Sequence, residues 1–153
     1  DMENSILLMA HNILRWAVLL FGLYTITKSA RGLMNKQDYT PNHNMAATLF
    51  VASVHLQILL GILLYVGREW AANLPKIGEI MGNTTLRFWT VEHAAGMILA
   101  AVIIQIGRTK SKKATETAKK HKTALIFFTI GLLIILAMIP WPFRAEVGRS
   151  LWP

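Results

Sequence analysis

Histidine is the residue type best suited to chemistry in this chain, because its imidazole can bind a metal ion or carry a proton near neutral pH. Four of the five histidines lie within or at the edge of long apolar stretches: His11, His55, His93 and His121. Arg15 follows His11 by four residues, so both side chains fall on one face of a helix. Glu92 directly precedes His93 and points about 100° away from it. These residue types suit cofactor binding or proton transfer.

Other kinds of site have little support in the sequence. The chain has no cysteine, which excludes disulfides, thiolate chemistry, iron–sulfur clusters and covalently attached haem. It has neither an HExxH motif nor a Glu-x-x-His pair, so zinc hydrolase and di-iron carboxylate sites are not indicated.

The histidines must be positioned by membrane-spanning helices. Hydrophobic residues make up 54% of the 153 positions and charged residues 16%, against roughly 25% charged in soluble domains. A span needs about 20 mostly apolar residues, and four stretches qualify, at about 6–27, 45–66, 88–106 and 123–139. We therefore expect an all-α membrane protein, with residues 1–153 forming one four-transmembrane-helix bundle. The first stretch is too long and too polar, with His11 and Arg15, for a signal peptide.

The distribution of basic residues predicts the orientation of the bundle. The net charge of +8 lies mostly in two short connections, which favours a topology signal and contact with anionic lipid headgroups over nucleic-acid binding. The connections at 28–44 and 108–122 hold three and seven Lys and Arg residues, against five on the opposite side. We expect both connections to face the cytoplasm and both termini to lie outside it. Four tryptophans on that outer side are typical of an interfacial belt: Trp70, Trp89, Trp141 and Trp152.

The depth of each histidine follows from the helical rise of about 1.5 Å per residue. From the outer boundary, His11 lies roughly 5 Å and His93 roughly 9 Å deep, whereas His55 lies at roughly 20 Å and His121 at roughly 30 Å. Two neutral imidazoles at one level can hold haem b between them, and Arg15 could pair with a haem propionate. Glu92 suits a partner for Arg15 or a proton carrier.

A second, inner haem between His55 and His121 is an open alternative, because helix tilt of about 20° would close only part of their depth difference. Each histidine could instead be a hydrogen-bonded packing residue. His43 follows Pro41 in a basic connection, where we expect it to be solvated.

Five segments resemble a family of small bacterial four-helix membrane proteins commonly labelled cytochrome b. They are HNILRW (11–16), HLQILLG (55–61), LRFWTVEH (86–93), IGRTKSKK (106–113) and IPWPFR (139–144). The resemblance implies a multi-pass protein of the bacterial inner membrane. A more distant likeness to di-haem cytochromes b of the superoxide oxidase type implies haem held by histidines of different helices and a quinone site near one membrane face.

The leading hypothesis is a b-type cytochrome with one or two haems, moving electrons to or from quinone or a redox protein. His11 and His93 would ligate the outer haem, His55 and His121 any inner one, and Arg15 would neutralise a propionate. Whether it catalyses a net reaction as an oxidoreductase stays open. Two rival hypotheses are a haem-free subunit of a larger membrane complex and a transporter that relays protons or ions through Arg15, Glu92 and His93.

Overall fold

The computed structural model describes residues 2–151, which leaves Trp152 outside the described residues. This part of the chain is helical and contains no strand. Its elements, in chain order, are α1 (Met2–Met34), α2 (Pro41–Gly67), a 3₁₀-helix (Trp70–Lys76), α3 (Ile77–Ile80), α4 (Thr84–Arg87), a π-helix (Phe88–Glu92), α5 (His93–Lys113) and α6 (Thr117–Met138).

The expected all-α fold with four membrane-capable helices is confirmed. Four segments are long and apolar enough to cross a membrane: Met2–Met34, Pro41–Gly67, Thr84–Lys113 and Thr117–Met138. Their outward surfaces are apolar, as the exposure of Leu20 (64%) on α1 and Leu133 (60%) on α6 illustrates. Large exposed apolar surfaces of this kind suit contact with lipid tails rather than water.

The helices extend further than hydropathy alone predicted. The prediction of a basic connection over 108–122 was wrong, because α5 continues to Lys113 and α6 begins at Thr117. Hydropathy detects only the apolar part of a helix, whereas lysine and alanine favour helix just as leucine does. The lysines in the last turn of α5 also interact favourably with the helix dipole. As a result His121 lies inside α6.

The four long helices form a ring in which each helix packs against two neighbours. Helix α1 packs against α2 and α6, and α5 packs against α6 and α2, so α1 and α5 lie diagonally opposite. The centre is filled by Phe50 and Phe128, whose ring centroids lie 5.3 Å apart, and by Ile104. Chain direction alternates around the ring, so the start of α1, the end of α2, the start of α5 and the end of α6 share one end of the bundle, here called the Met2 end. The opposite end is called the Lys36 end.

Candidate functional site

A cavity of about 580 Å³ lies between the four long helices toward the Met2 end of the bundle. Its walls are mostly apolar, with Val18, Val54 and Ile135 among them. The polar side chains that line it include His11 and Arg15 of α1, Gln57 of α2, Trp89 of the π-helix and His93 of α5. An apolar cavity of this size with a few converging polar groups is the usual form of a small-molecule or cofactor site.

His11 and His93 reach the cavity from diagonally opposite helices, α1 and α5. The two residues therefore line one cavity from helices on opposite sides of the bundle. The backbone carbonyl of His11 accepts a 2.8 Å hydrogen bond from Nε2 of Gln57, which fixes α1 and α2 at this level. Both histidines line this cavity, and a shared level for them stays a prediction.

The ring of His93 is held by a backbone carbonyl. Its Nδ1 lies 2.8 Å from the carbonyl oxygen of Met138. Because a carbonyl oxygen only accepts hydrogen bonds, Nδ1 carries the proton and donates it. The neutral ring then keeps the Nε2 lone pair available. This is the usual arrangement of a metal-binding histidine, whose other nitrogen donates to a carbonyl or carboxylate.

A π-helix immediately before His93 sets the direction of that side chain. The backbone N–H of His93 bonds to the carbonyl of Phe88, five residues back, rather than four. Thr90, in the middle of the π-helix, is held by two other residues: Tyr65 donates to its carbonyl at 2.7 Å, and Nδ2 of Asn73 donates to its hydroxyl at 3.2 Å. Such π-turns are frequent at functional sites. Sequence reasoning missed this turn, and no residue in 88–92 signals it.

Unpaired polar atoms are concentrated around the cavity. Six buried side-chain N or O atoms in residues 2–151 have no hydrogen-bond partner, and four belong to residues that line the cavity: His11 Nδ1, Arg15 Nε, Gln57 Oε1 and Trp89 Nε1. Buried polar groups are normally paired, since each unpaired one costs about 1–3 kcal/mol. Four of the six therefore belong to the walls of this one cavity, which marks it as the polar part of the bundle interior.

Arg15 brings a positive charge into this site. Its side chain is 8% exposed, and its Nη2 donates to the carbonyl oxygen of Leu151 at 2.6 Å. No carboxylate within residues 2–151 forms an ion pair with it. Arg149 also lines the cavity, with its guanidinium 5.1 Å from the ring centre of Trp89. A buried charge is costly unless it is paired, so this part of the cavity favours an anionic group on the ligand.

Glu92 does not take part in the cavity. Its carboxylate lies 2.6 Å from Nε of Arg87, and both side chains are about one-third exposed. Of the two roles expected for Glu92, a partner for Arg15 or a proton carrier, the first was therefore wrong. Arg87 and Glu92 are five residues apart, and the π-helix between them brings their side chains together. On a regular α-helix, neighbouring side chains are three or four residues apart.

The structure does not bring His55 and His121 together. His55 is exposed on the outer face of α2, next to the central residue Val54. His121 is completely buried at the Lys36 end, where its Nε2 lies 2.9 Å from the carbonyl oxygen of Gln37. The centroid of its ring lies 4.8 Å from that of His43. His43 precedes His55 on α2 by twelve residues, or about 18 Å of helix, so His121 is about that far from the level of His55.

His43 is buried rather than solvated, which corrects the expectation from sequence. It is 6% exposed, and its Nδ1 accepts a 3.1 Å hydrogen bond from the backbone N–H of Thr40. Thr40 in turn accepts from the backbone of His43, which completes a capping box at the start of α2. The ring of Tyr39 stacks on that of His43 at 5.4 Å. Together with His121 these residues form a packed structural cluster.

No protein-family model, curated protein or solved structure matches this chain. The fold and the site define a helical bundle with four membrane-capable helices and a cavity of about 580 Å³ lined by two histidines and a buried arginine.

Proposed function

We propose that the protein is a b-type cytochrome in which His11 and His93 would hold a haem b in the cavity. The observation that carries this proposal is the pair of histidines from diagonal helices around one cavity, with Nδ1 of His93 already bonded to Met138. Bound haem b would supply reversible one-electron chemistry, and the protein would supply orientation and charge.

The residues of the cavity fit this cofactor in three respects. The volume of about 580 Å³ is within the range of about 300–1,000 Å³ typical of cofactor sites. The apolar walls suit a porphyrin, and Arg15 suits a propionate.

We propose one haem per chain rather than two. His55 and His121 lie too far apart to bind one haem together. In addition, the residues packed around the buried ring of His121 leave no space for a cofactor beside it. Gly32 illustrates this close packing: a Cβ at that position would lie 2.6 Å from Nε2 of His121.

The proposed setting is the bacterial inner membrane, with both termini outside the cytoplasm. The excess of Lys and Arg at the Lys36 end supports this orientation. It would place the haem near the outer face of the membrane, where quinone or a redox protein would exchange electrons with it. Any net reaction would require such a partner to give electrons to the haem or accept them from it.

The rival hypotheses receive less support from the site. A relay through Glu92 would require its carboxylate to face Arg15 or His93. Instead, the carboxylate lies 2.6 Å from Nε of Arg87, and Glu92 does not line the cavity. A haem-free subunit would not account for a cavity of about 580 Å³ lined by His11, His93 and the buried Arg15.

A reduced-minus-oxidised visible spectrum of the purified protein tests the proposal. We expect a Soret band and the sharp α-band of a low-spin b haem. A colourless protein that also fails to bind added haemin would contradict the cytochrome assignment. In that case, pH-dependent transport by the colourless protein would favour the relay hypothesis.

A further inference from the structure

The imidazole of His55 is exposed at the middle of a membrane-capable helix. It is the fifteenth of the 27 residues of α2, and its neighbours Leu56 and Leu59 are also exposed, at 48% and 53%. Within residues 2–151 no hydrogen bond, ion pair or ring contact of this imidazole is present. Ionisable side chains in membrane spans almost always face protein or a water-filled cavity, because lipid tails offer no hydrogen bonds.

His55 cannot reach the membrane surface from this position. The hydrocarbon core is about 30 Å thick, so a central residue lies about 15 Å from either headgroup region. A histidine side chain is far shorter than that, unlike the long side chains of lysine and arginine that extend to the interface. The hydrogen-bonding needs of His55 therefore have to be met by another protein surface.

Five of the exposed residues of α2 lie on the His55 side of the helix with regular spacing. They are here called the α2 outer stripe and comprise Ala52, His55, Leu59, Ile62 and Val66. Successive members are four or three residues apart in strict alternation, which is the spacing of the contact positions in a coiled coil. Membrane helices often pack with this geometry, and a polar residue within the seam fixes the register.

We infer that the α2 outer stripe is the interface of a homodimer, in which His55 pairs with His55 of a second copy. Copies in one membrane share one orientation, so a two-fold axis along the membrane normal brings each residue of α2 to the depth of its counterpart. A different partner would need a matching polar group at that depth. A neutral imidazole has one donor and one acceptor, so two of them complete an N–H···N hydrogen bond.

Disulfide cross-linking tests this arrangement directly, because the natural chain contains no cysteine. The probes are Leu59→Cys and Ile62→Cys on the stripe, both of which leave His55 in place, and the matched controls are Leu20→Cys and Ile130→Cys. The controls are 64% and 45% exposed and lie near the middle of α1 and α6. We expect oxidised membranes to contain at least five times more dimer with either stripe variant than with either control. Equal cross-linking of all four variants would overturn the proposal.

The imidazole pair needs a second measurement, on the wild-type protein and His55→Leu in lipid nanodiscs or at increasing detergent dilution. A leucine that faces lipid leaves the fold intact, so we expect the monomer fraction to rise at least threefold in this variant while its helical content is unchanged. A wild-type protein that is monomeric at every concentration would overturn the homodimer. Dimerisation unchanged in His55→Leu would overturn the role of His55. Neither outcome depends on haem binding.

Discussion

The backbone carbonyl of Met138, the last residue of α6, is paired with the side chain of His93 on α5 rather than with the backbone of its own helix. In an α-helix that carbonyl would accept from the backbone N–H of residue 142, but proline has none. Nδ1 of His93 donates to the same carbonyl at 2.8 Å instead. The end of α6 thus provides the acceptor that orients a histidine of α5.

The neighbouring proline acts in the same way on the preceding turn. Pro140 lies four residues after Leu136, whose carbonyl instead accepts a 2.8 Å hydrogen bond from the indole Nε1 of Trp141. The Ile139-Pro140-Trp141-Pro142 segment therefore frees two carbonyls and supplies one of the two side-chain donors. We expect Trp141→Phe to lower the free energy of unfolding by about 1–3 kcal/mol, because it leaves the carbonyl of Leu136 unpaired.

Thermal unfolding in detergent measures this effect, with Phe143→Leu as the control. Phe143 is 83% exposed, so its substitution is expected to have little effect. Equal melting temperatures for Trp141→Phe and the wild-type protein would show that the indole hydrogen bond contributes nothing.

Arg15 is predicted to determine the affinity for haem through its charge. We expect Arg15→Gln to weaken haemin binding about 10- to 100-fold, since a charge-assisted hydrogen bond contributes about 1.5–3 kcal/mol. Haemin titration of the apoprotein followed by the Soret band measures this. Arg31→Gln, at an exposed position near the Lys36 end, is the control and is expected to bind as the wild-type protein does. Unchanged affinity in Arg15→Gln would contradict the proposed propionate contact.

Gly32 is predicted to be essential for packing at the Lys36 end. A Cβ at this position would overlap the imidazole of His121, with Nε2 at 2.6 Å, and His121 is completely buried. We expect Gly32→Ala to destabilise the protein by about 1–3 kcal/mol, the usual effect of overpacking. Gly78→Ala is the matched control, because a Cβ there meets no atom within 4 Å. Comparable melting temperatures for the two variants would show that the His121 cluster adapts without cost.

Glu92 is predicted to be dispensable for the cofactor. We expect Glu92→Gln to change haemin affinity less than about twofold and stability by at most about 1 kcal/mol, because its partner Arg87 lies in a partly exposed ion pair. The same titration and melting measurements apply. A large loss of haemin affinity in this variant would instead support a role for Glu92 in the cavity.

Depth along the helices was predictable from sequence, whereas direction around them was not. Counting about 1.5 Å per residue puts His11 and His93 toward the same end of the bundle, where both line the cavity. Whether a residue faces the interior or the lipid depends on which neighbours its helix meets, and all four helices are apolar on most sides. For this reason the sequence did not reveal that His55 faces outward while His121 is buried, although their predicted depths already differed.

Local backbone geometry was the second limit. The π-helix at Phe88–Glu92 changes which side chains adjoin His93, and its residues have no composition that marks it. The acceptor for His93 was also hidden, because it is a backbone carbonyl. Pro142, four residues after Met138, is the one signal in the sequence that could have predicted a free carbonyl there.

The most direct test of the central claim is the haem content per chain, measured by pyridine haemochrome in four proteins purified in parallel. These are the wild-type protein, His11→Ala, His93→Ala and His55→Ala. We predict one haem b per chain in the wild-type protein and in His55→Ala, with loss of low-spin haem in the other two variants. Full, low-spin haem in His93→Ala, or none in the wild-type protein after haemin is added, would contradict the account.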